Sequence, residues 1–377
     1  MKKKIMALAF AAMLLISQVT SFAKVEVKTV NLRGKSVNVT TIDLDEKTEI
    51  KVAKPNGKQV GTAAFTDFVN SYKPKAAINA NYFEAYNGGK FPYGTQMTGG
   101  VMINMEGANA NLIVFDKNKA KIVHGTFKYK GYLDGKRKNE WNNGTQSMDF
   151  NLFDAWYVNV KPTDTSGVYI FNSFRNAPTT VTGGYAIEVV NNTVKKVYKA
   201  NGELTVPKDG YLIYYGSDFS NNTYVTDRFK EGRTVELELV LSHVVDGNTV
   251  EDKTFDYKGE KVPFAKLSEI ISASPMLIEN SKLVYEKHVA GMEAKMTKGA
   301  GARSLIGINK NGQLVLATTS GTMGQVAGIM QDLGCTDAFN LDGGASSAMY
   351  ANGKYLRKAG RALNTVLVIR DQVKPTK

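Results

Sequence analysis

The chain has 377 residues, 43% hydrophobic and 22% charged, with a formal charge of +13, one cysteine and three histidines. One cysteine excludes an intramolecular disulfide framework, and the length accommodates one large domain or two smaller ones. The basic balance draws the protein toward anionic surfaces; without a basic stripe interleaved with aromatics, nucleic acid is not the expected partner, and a phosphate-containing glycan or anionic wall polymer is.

Residues 1–23 read as an export signal. Lys2, Lys3 and Lys4 form a charged start, an apolar run follows from Ile5 to Ile16, and Ser21-Phe22-Ala23 supplies small residues for cleavage before Lys24. The apolar run is too short to span a bilayer comfortably. The mature protein is therefore expected to be secreted, extracellular or cell-wall associated, with no transmembrane segment after signal removal.

Residues 24–62 alternate apolar and polar side chains (Val25, Val27, Val30, Val37, Val39, Ile50, Val52) and predict strands. A short helix is expected from Thr62 to Val69, with Thr62 as N-cap and Phe65, Phe68 and Val69 on one face, ended by Pro74. Residues 75–83 read as a compact strand, and residues 84–98 as a Gly-, Tyr- and Asn-rich loop bordering a site. Strand pairs return over 99–130. The polar, Trp/Asn-rich stretch 131–166 gives no clear pattern. Strands resume over 167–260, with turns at Asn191-Asn192, Asp209-Gly210 and Asp246-Gly247. Residues 272–285 are strand-like. One strong helix is predicted from Thr322 to Leu333, with Gly334 as its C-terminal cap. Cys335 follows as a small buried residue.

The resulting expectation is an α+β fold with β-rich mixed sheets and few helices. Its parts are a strand-rich leading segment over 24–74, a main domain over 75–371 with a β-rich insertion at about 125–260, and a polar tail over 372–377.

The histidines at 124, 243 and 288 are too dispersed for a spaced metal motif. Phosphate-binding loop, dinucleotide and metalloprotease motifs are absent, as is a Gly-x-Ser-x-Gly elbow. The most informative segment is Phe339-Asn340-Leu341-Asp342-Gly343-Gly344-Ala345-Ser346-Ser347. A carboxylate followed by two glycines and two hydroxyls at a strand end can hold a charged or polyhydroxylated molecule. The same segment reads equally well as a hairpin turn. Asn79 and Asn81 flank Ala80 and, at strand spacing, face one side; two amides there suit sugar hydroxyls or buried backbone. Arg303 lies in a glycine-rich loop entering a buried strand, where it can fork onto a phosphate or pin the loop by a salt bridge. Arg361 and Asn364 are weaker candidates of the same kind, and Arg361 also reads as a plain surface arginine. No cofactor is expected. Asp342 with Asn340 could hold calcium or magnesium, although one or two oxygens do not make a cage.

Four ordered blocks together resemble the phosphodiester glycosidase family: residues 76–83, 272–285, 303–321 and 331–347, of which the last is the most specific. The resemblance implies an exported hydrolase that cleaves between a sugar anomeric carbon and a phosphodiester oxygen, as in an N-acetylglucosamine-1-phosphodiester. It implies an active site lined by Asn79, Arg303, Asp342, Gly343, Gly344, Ser346 and Ser347. Arg303 would neutralise the phosphate, and Asp342 would act as base or nucleophile. Glu84 and Glu293 are the alternative acids. The chain departs from the family pattern at Ala80-Asn81, at Ala273-Ser274 and at Thr319-Ser320 before Gly321. A non-catalytic glycan-binding protein of the same fold, or a phosphodiesterase releasing sugar phosphate, are the rival readings.

Overall fold

The computed structural model describes residues 23–372, except 87, 290, 291, 293 and 295–297. The export signal up to residue 22 and the candidate acid Glu293 lie outside the described residues. The fold is β-rich, with mixed sheets and short helices. Among the described residues, no helix is long and apolar enough to cross a membrane.

Two sheets frame the site. One has seven strands, ordered Val25–Leu32, Lys35–Ile42, Leu314–Gly321, Gly301–Asn309, Cys335–Asn340, Met276–Glu279 and Lys282–Leu283. The other has five, ordered Lys354–Arg357, Met349–Ala351, Ala76–Asn79, Val366–Asp371 and Thr48–Ala53. Chain ends therefore meet: the leading strands pair with strands more than 250 residues later, as in Val39↔Ala317 and Val52↔Leu367. Their inner faces supply Ile42, Ile50, Ile78, Ile306, Leu316, Phe339, Met349 and Leu367 to one core cluster. Removing that much apolar surface from water, at ~25 cal/mol per Å², is what holds the two sheets together.

The predicted helix forms over Met323–Asp332. Its Thr322 N-cap hydroxyl accepts the Gln325 amide at 3.3 Å, and the Gln325 side chain accepts the Thr322 amide at 3.0 Å. Val326, Ile329 and Met330 pack on Val39, Leu305 and Ala317 of the seven-stranded sheet, and Gly334 closes the helix at φ +77°. The earlier helix runs over Phe65–Tyr72 rather than from Thr62. Its start is set by Asp67, whose carboxylate accepts the Ala64 amide at 3.2 Å. A side chain three residues inside the helix outweighed the capping propensity of Thr62.

A third, larger sheet takes in most of residues 96–273. It is antiparallel except where Tyr157–Val158 runs parallel to Tyr169–Ile170. The unpatterned stretch 131–166 adds the short strands Leu152–Ala155 and Tyr157–Val158 to it, while Glu140–Asn142 and Ser147–Asp149 pair with each other as a separate two-stranded sheet. Positive φ at Asn191, Asn192, Asp246 and Gly247 makes the tight turns that the sequence predicted there.

Candidate active site

The strand Cys335–Asn340 ends at the seam between the two framing sheets, and Asp342 follows on the first residues of the turn. Its amide donates to the Ala80 carbonyl at 3.0 Å, while its carbonyl accepts the Asn79 side-chain amide at 2.6 Å. Asp342 is thus clamped by the residues that end the strand Ala76–Asn79 of the other sheet. The two glycines are required at this point. A Cβ on Gly343 would stand 2.8 Å from the Ala302 carbonyl, and Gly344 has φ +60°. They lead into a single turn, Gly344–Ser346, that buries both Ser346 and Ser347.

Burial pushes the Asp342 carboxyl up to about 6, opposed by the Ser346 hydroxyl, the Arg361 guanidinium and the Gly343 amide. Ser346 Oγ and Ser347 Oγ have no hydrogen-bond partner. Ser346 is therefore close enough to favour the carboxylate without a full hydrogen bond to it. Two buried hydroxyls left unsatisfied in a glycine turn are a ready cradle for polar ligand atoms.

Arg303 comes to the same place from the neighbouring strand, Gly301–Asn309. A Cβ on Gly343 would lie 3.9 Å from both its Cδ and its Nη1. Arg303 is 6% exposed, and its guanidinium donates to the carbonyls of Gly321 at 3.1 Å and Gly299 at 2.8 Å. Desolvation lowers its pKa, and nearby Tyr82 opposes that shift. Tyr82 in turn is acted on by both Asp342 and Arg303, and burial raises its phenol above the ordinary range. Tyr82 thus lies within electrostatic reach of both Asp342 and Arg303.

Asn340 reinforces this placement. Its amide donates to the Tyr82 hydroxyl at 2.8 Å, and Tyr82 donates to the Ser274 carbonyl at 2.9 Å. Asn340 Oδ1 is buried without a partner. Arg361 reaches the site from the loop before the last strand. It donates to the Tyr86 hydroxyl at 2.9 Å and lies 5.0 Å from the Tyr86 ring centroid. Its charge acts on Asp342, so it is more than a surface arginine. It also lines a cavity of about 450 Å³ with Phe65, Tyr355 and Lys358.

The two asparagines of the first block do not share a side. The strand stops at Asn79, and the chain turns before Asn81. Asn79 accepts the Ser304 hydroxyl at 2.6 Å and the Ala348 amide at 2.9 Å. With its bond to Asp342, both polar atoms of its amide are held by protein. Asn81 donates to the carbonyl of Tyr93 at 3.1 Å and to the Ser272 hydroxyl at 3.3 Å, leaving Oδ1 unpartnered. Asn364 is fully buried away from the turn, donating to the carbonyls of Gln59, Gly61 and Lys90 and accepting from buried Lys54. It is part of the frame.

Glu84 begins the hairpin that returns through Phe91, its amide donating to the Phe91 carbonyl at 2.8 Å. Its charge acts on Tyr93 rather than on Asp342. Sequence reasoning missed another carboxyl, Glu106, which burial raises and which lines a cavity of about 180 Å³ with Tyr82, Tyr93, Ser272 and Ser274. It sits at an ordinary strand end before a glycine, with no local signal to mark it. Tyr82 was visible as a neighbour of Asn81 but carries no motif of its own. Among the described residues, no group of three or more His, Cys, Asp or Glu side chains could hold a metal ion.

Comparison with known families decides what this arrangement belongs to. The family described as phosphodiester glycosidase matches residues 183–370, a span holding Arg303, the Asp342 turn and Arg361. Over that span the chain belongs to the phosphodiester glycosidase family. No curated protein matches it. A hypothetical protein from Synechocystis is similar in structure, with a TM-score of 0.70 and 18% identity over 93% of this chain. The present chain spans 62% of that protein's length. A putative exported protein from Burkholderia pseudomallei has a TM-score of 0.62 and 17% identity, covering 89% of this chain and 74% of its own. At these identities the likeness is one of fold. The catalytic domain of zebrafish N-acetylglucosamine-1-phosphodiester alpha-N-acetylglucosaminidase, auto-inhibited by its pro-peptide, overlaps with a TM-score of 0.40 and 13% identity, over 93% of this chain and 83% of its own. In this chain the Asp342 turn is built from a strand end, a glycine pair and two buried serines, with Arg303 beside it.

Proposed function

We propose that this protein is an exported glycosidase that hydrolyses the bond between a sugar anomeric carbon and a phosphodiester oxygen. The observation that carries this reading is the convergence of Arg303 and the Asp342-Gly343-Gly344 turn, with an Asp342 carboxyl that titrates near 6. A base with that pKa is largely ionised at neutral pH and still a competent proton acceptor. In the proposed step, water attacks the anomeric carbon and loses its proton to Asp342. The C1–O bond breaks, and its electron pair stays on the phosphate oxygen, leaving a phosphomonoester. The phosphate is a good leaving group because its second pKa is about 6, so a strong general acid matters less than neutralising its charge. Arg303, with the Gly343 and Gly344 amides and the two unsatisfied serine hydroxyls, supports that role. Asn79 then serves as a positioning residue, since its polar atoms are held by Asp342, Ser304 and Ala348.

The charged and apolar runs before residue 23 support export, and the basic balance supports association with an anionic envelope. A wall polymer or exopolysaccharide containing phosphate is the proposed substrate class. A synthetic sugar-1-phosphodiester tests the reading directly. Free reducing sugar and phosphomonoester are the expected products, abolished in Asp342→Asn. Release of sugar phosphate would instead mean a phosphodiesterase, and binding without turnover a glycan-binding protein.

A further inference from the structure

The strand Leu152–Ala155 pairs with the long strand Lys119–Leu133, whereas Tyr157–Val158 pairs with Val101–Glu106 and runs beside Val168–Phe171. The large sheet therefore splits at Trp156. The split opens a cavity of about 740 Å³. Trp156, Tyr157 and Tyr224 line it, together with Asp154, Asp164 and Arg228.

These walls are held in place from behind. Tyr157 stacks on Tyr169 with centroids 4.6 Å apart and donates to Asp164 at 3.0 Å. The Lys128 ammonium sits 4.6 Å from the Trp156 ring centroid and bonds Asp154 at 2.6 Å. Asp164 is kept ionised chiefly by the Ser166 hydroxyl. Arg228 is 6% exposed, packed 3.4 Å from the Tyr224 ring centroid, and donates to the carbonyls of Leu152 and Tyr224. Among the described residues no carboxylate forms an ion pair with it. Rigid aromatic faces beside ionised acceptors suit the apolar face and hydroxyls of a sugar ring. A buried, unmatched guanidinium suits an anion.

The groove is linked through residues 106 and 107 to a smaller cavity that Tyr82 lines. Gly107 lines the groove, and a Cβ there would stand 3.1 Å from the Trp156 carbonyl and 3.2 Å from Tyr157 Cε1. The residue before it, Glu106, is the cross-strand partner of Tyr157 and shares the smaller cavity with Tyr82, which lies within electrostatic reach of Asp342.

We infer that this groove binds a segment of phosphate-bearing glycan remote from the scissile bond, with sugar rings against Trp156 and Tyr224 and a phosphate on Arg228. The inference deepens the proposed function and rests on it for the link to catalysis, while the binding itself can be tested apart. Trp141 and Trp156 are the only indoles, so Trp141→Phe in an Asp342→Asn background leaves Trp156 as sole reporter. Titration with a purified poly(glycosyl phosphate) should change its emission saturably. By titration calorimetry, Trp156→Ala or Tyr224→Ala should bind that polymer ~10-fold more weakly, with Trp156→Phe restoring most of the loss. On the otherwise unaltered enzyme, the same substitutions should leave turnover of a short sugar-1-phosphodiester within about twofold. No emission change, undiminished binding by both alanine variants, or equal binding of a phosphate-free polysaccharide of the same sugar would overturn the groove. If the parent cleaves no sugar-1-phosphodiester yet the emission response persists, the groove stands and the catalytic reading falls.

Discussion

Asn79 and Asp342 lie 263 positions apart, yet the Asn79 side chain grips the Asp342 carbonyl at 2.6 Å. The same amide collects Ser304 and the Ala348 backbone. One buried side chain thus ties together the strand carrying Arg303, the turn carrying Asp342 and the segment after it.

Asn79→Ala should lower stability by about 2–4 kcal/mol, because a buried hydroxyl and a buried backbone amide lose their acceptor together. Denaturant unfolding measures the loss. Activity on a sugar-1-phosphodiester should fall further than stability requires, since Asp342 is no longer held.

The rate should rise through an acid limb near pH 6, where Asp342 ionises. A kcat/KM profile on a small phosphodiester checks this. Asp342→Asn should reduce kcat by roughly 10³-fold or more while leaving KM little changed.

The same carboxyl makes a stability prediction. Its folded pKa, about 6, is above its ordinary value of 3.8. The folded state binds more protons than the unfolded between those values, so stability falls as pH rises through that window and stays lower above it. Asp342→Asn removes this cost. The variant should be more stable than the parent at pH 7.5, by about 1–3 kcal/mol, and the advantage should vanish near pH 3. Melting curves across pH decide it.

Arg361→Ala withdraws a positive charge from Asp342. The acid limb should move to higher pH, producing a several-fold loss at pH 6 that narrows by pH 8. A pH-independent loss would mean that Arg361 acts on the substrate instead.

Lys54 is buried among Gln96, Asn364 and Thr365 oxygens with no ion pair among the described residues. Desolvation holds its pKa well below 10.5. Between the lowered folded pKa and 10.5 the unfolded chain binds more protons than the folded one, and the parent's stability should climb as pH rises through that window. Lys54→Met should flatten that climb and leave the melting temperature at pH 7 unchanged or higher, measurable by calorimetry.

Much of the site's local architecture was legible in the residues themselves. The Asp-Gly-Gly turn needs glycine at Gly343, where any side chain would strike the Ala302 carbonyl, and that requirement is written into the sequence. The helix Met323–Asp332 carries its cap, its apolar face and its terminating glycine within one short segment, so periodicity finds it. The β-rich α+β class follows from alternation in the same way.

The rest depended on contacts that no local pattern encodes. Asn79 and Asn81 look alike in sequence, but the strand ends between them and sends one to Asp342 and the other to Ser272. Glu106 resembles any strand-terminal glutamate until the fold places it with Tyr82 on the wall of one cavity. Arg361 reads as a surface arginine until its charge is felt at Asp342. Sequence alone determined which backbone conformations and which faces each segment could adopt, because sterics and periodicity act over a few residues. Tertiary structure alone decided which polar side chains are consumed by the frame and which remain unsatisfied in a cleft, because burial and charge proximity are set by neighbours hundreds of residues away.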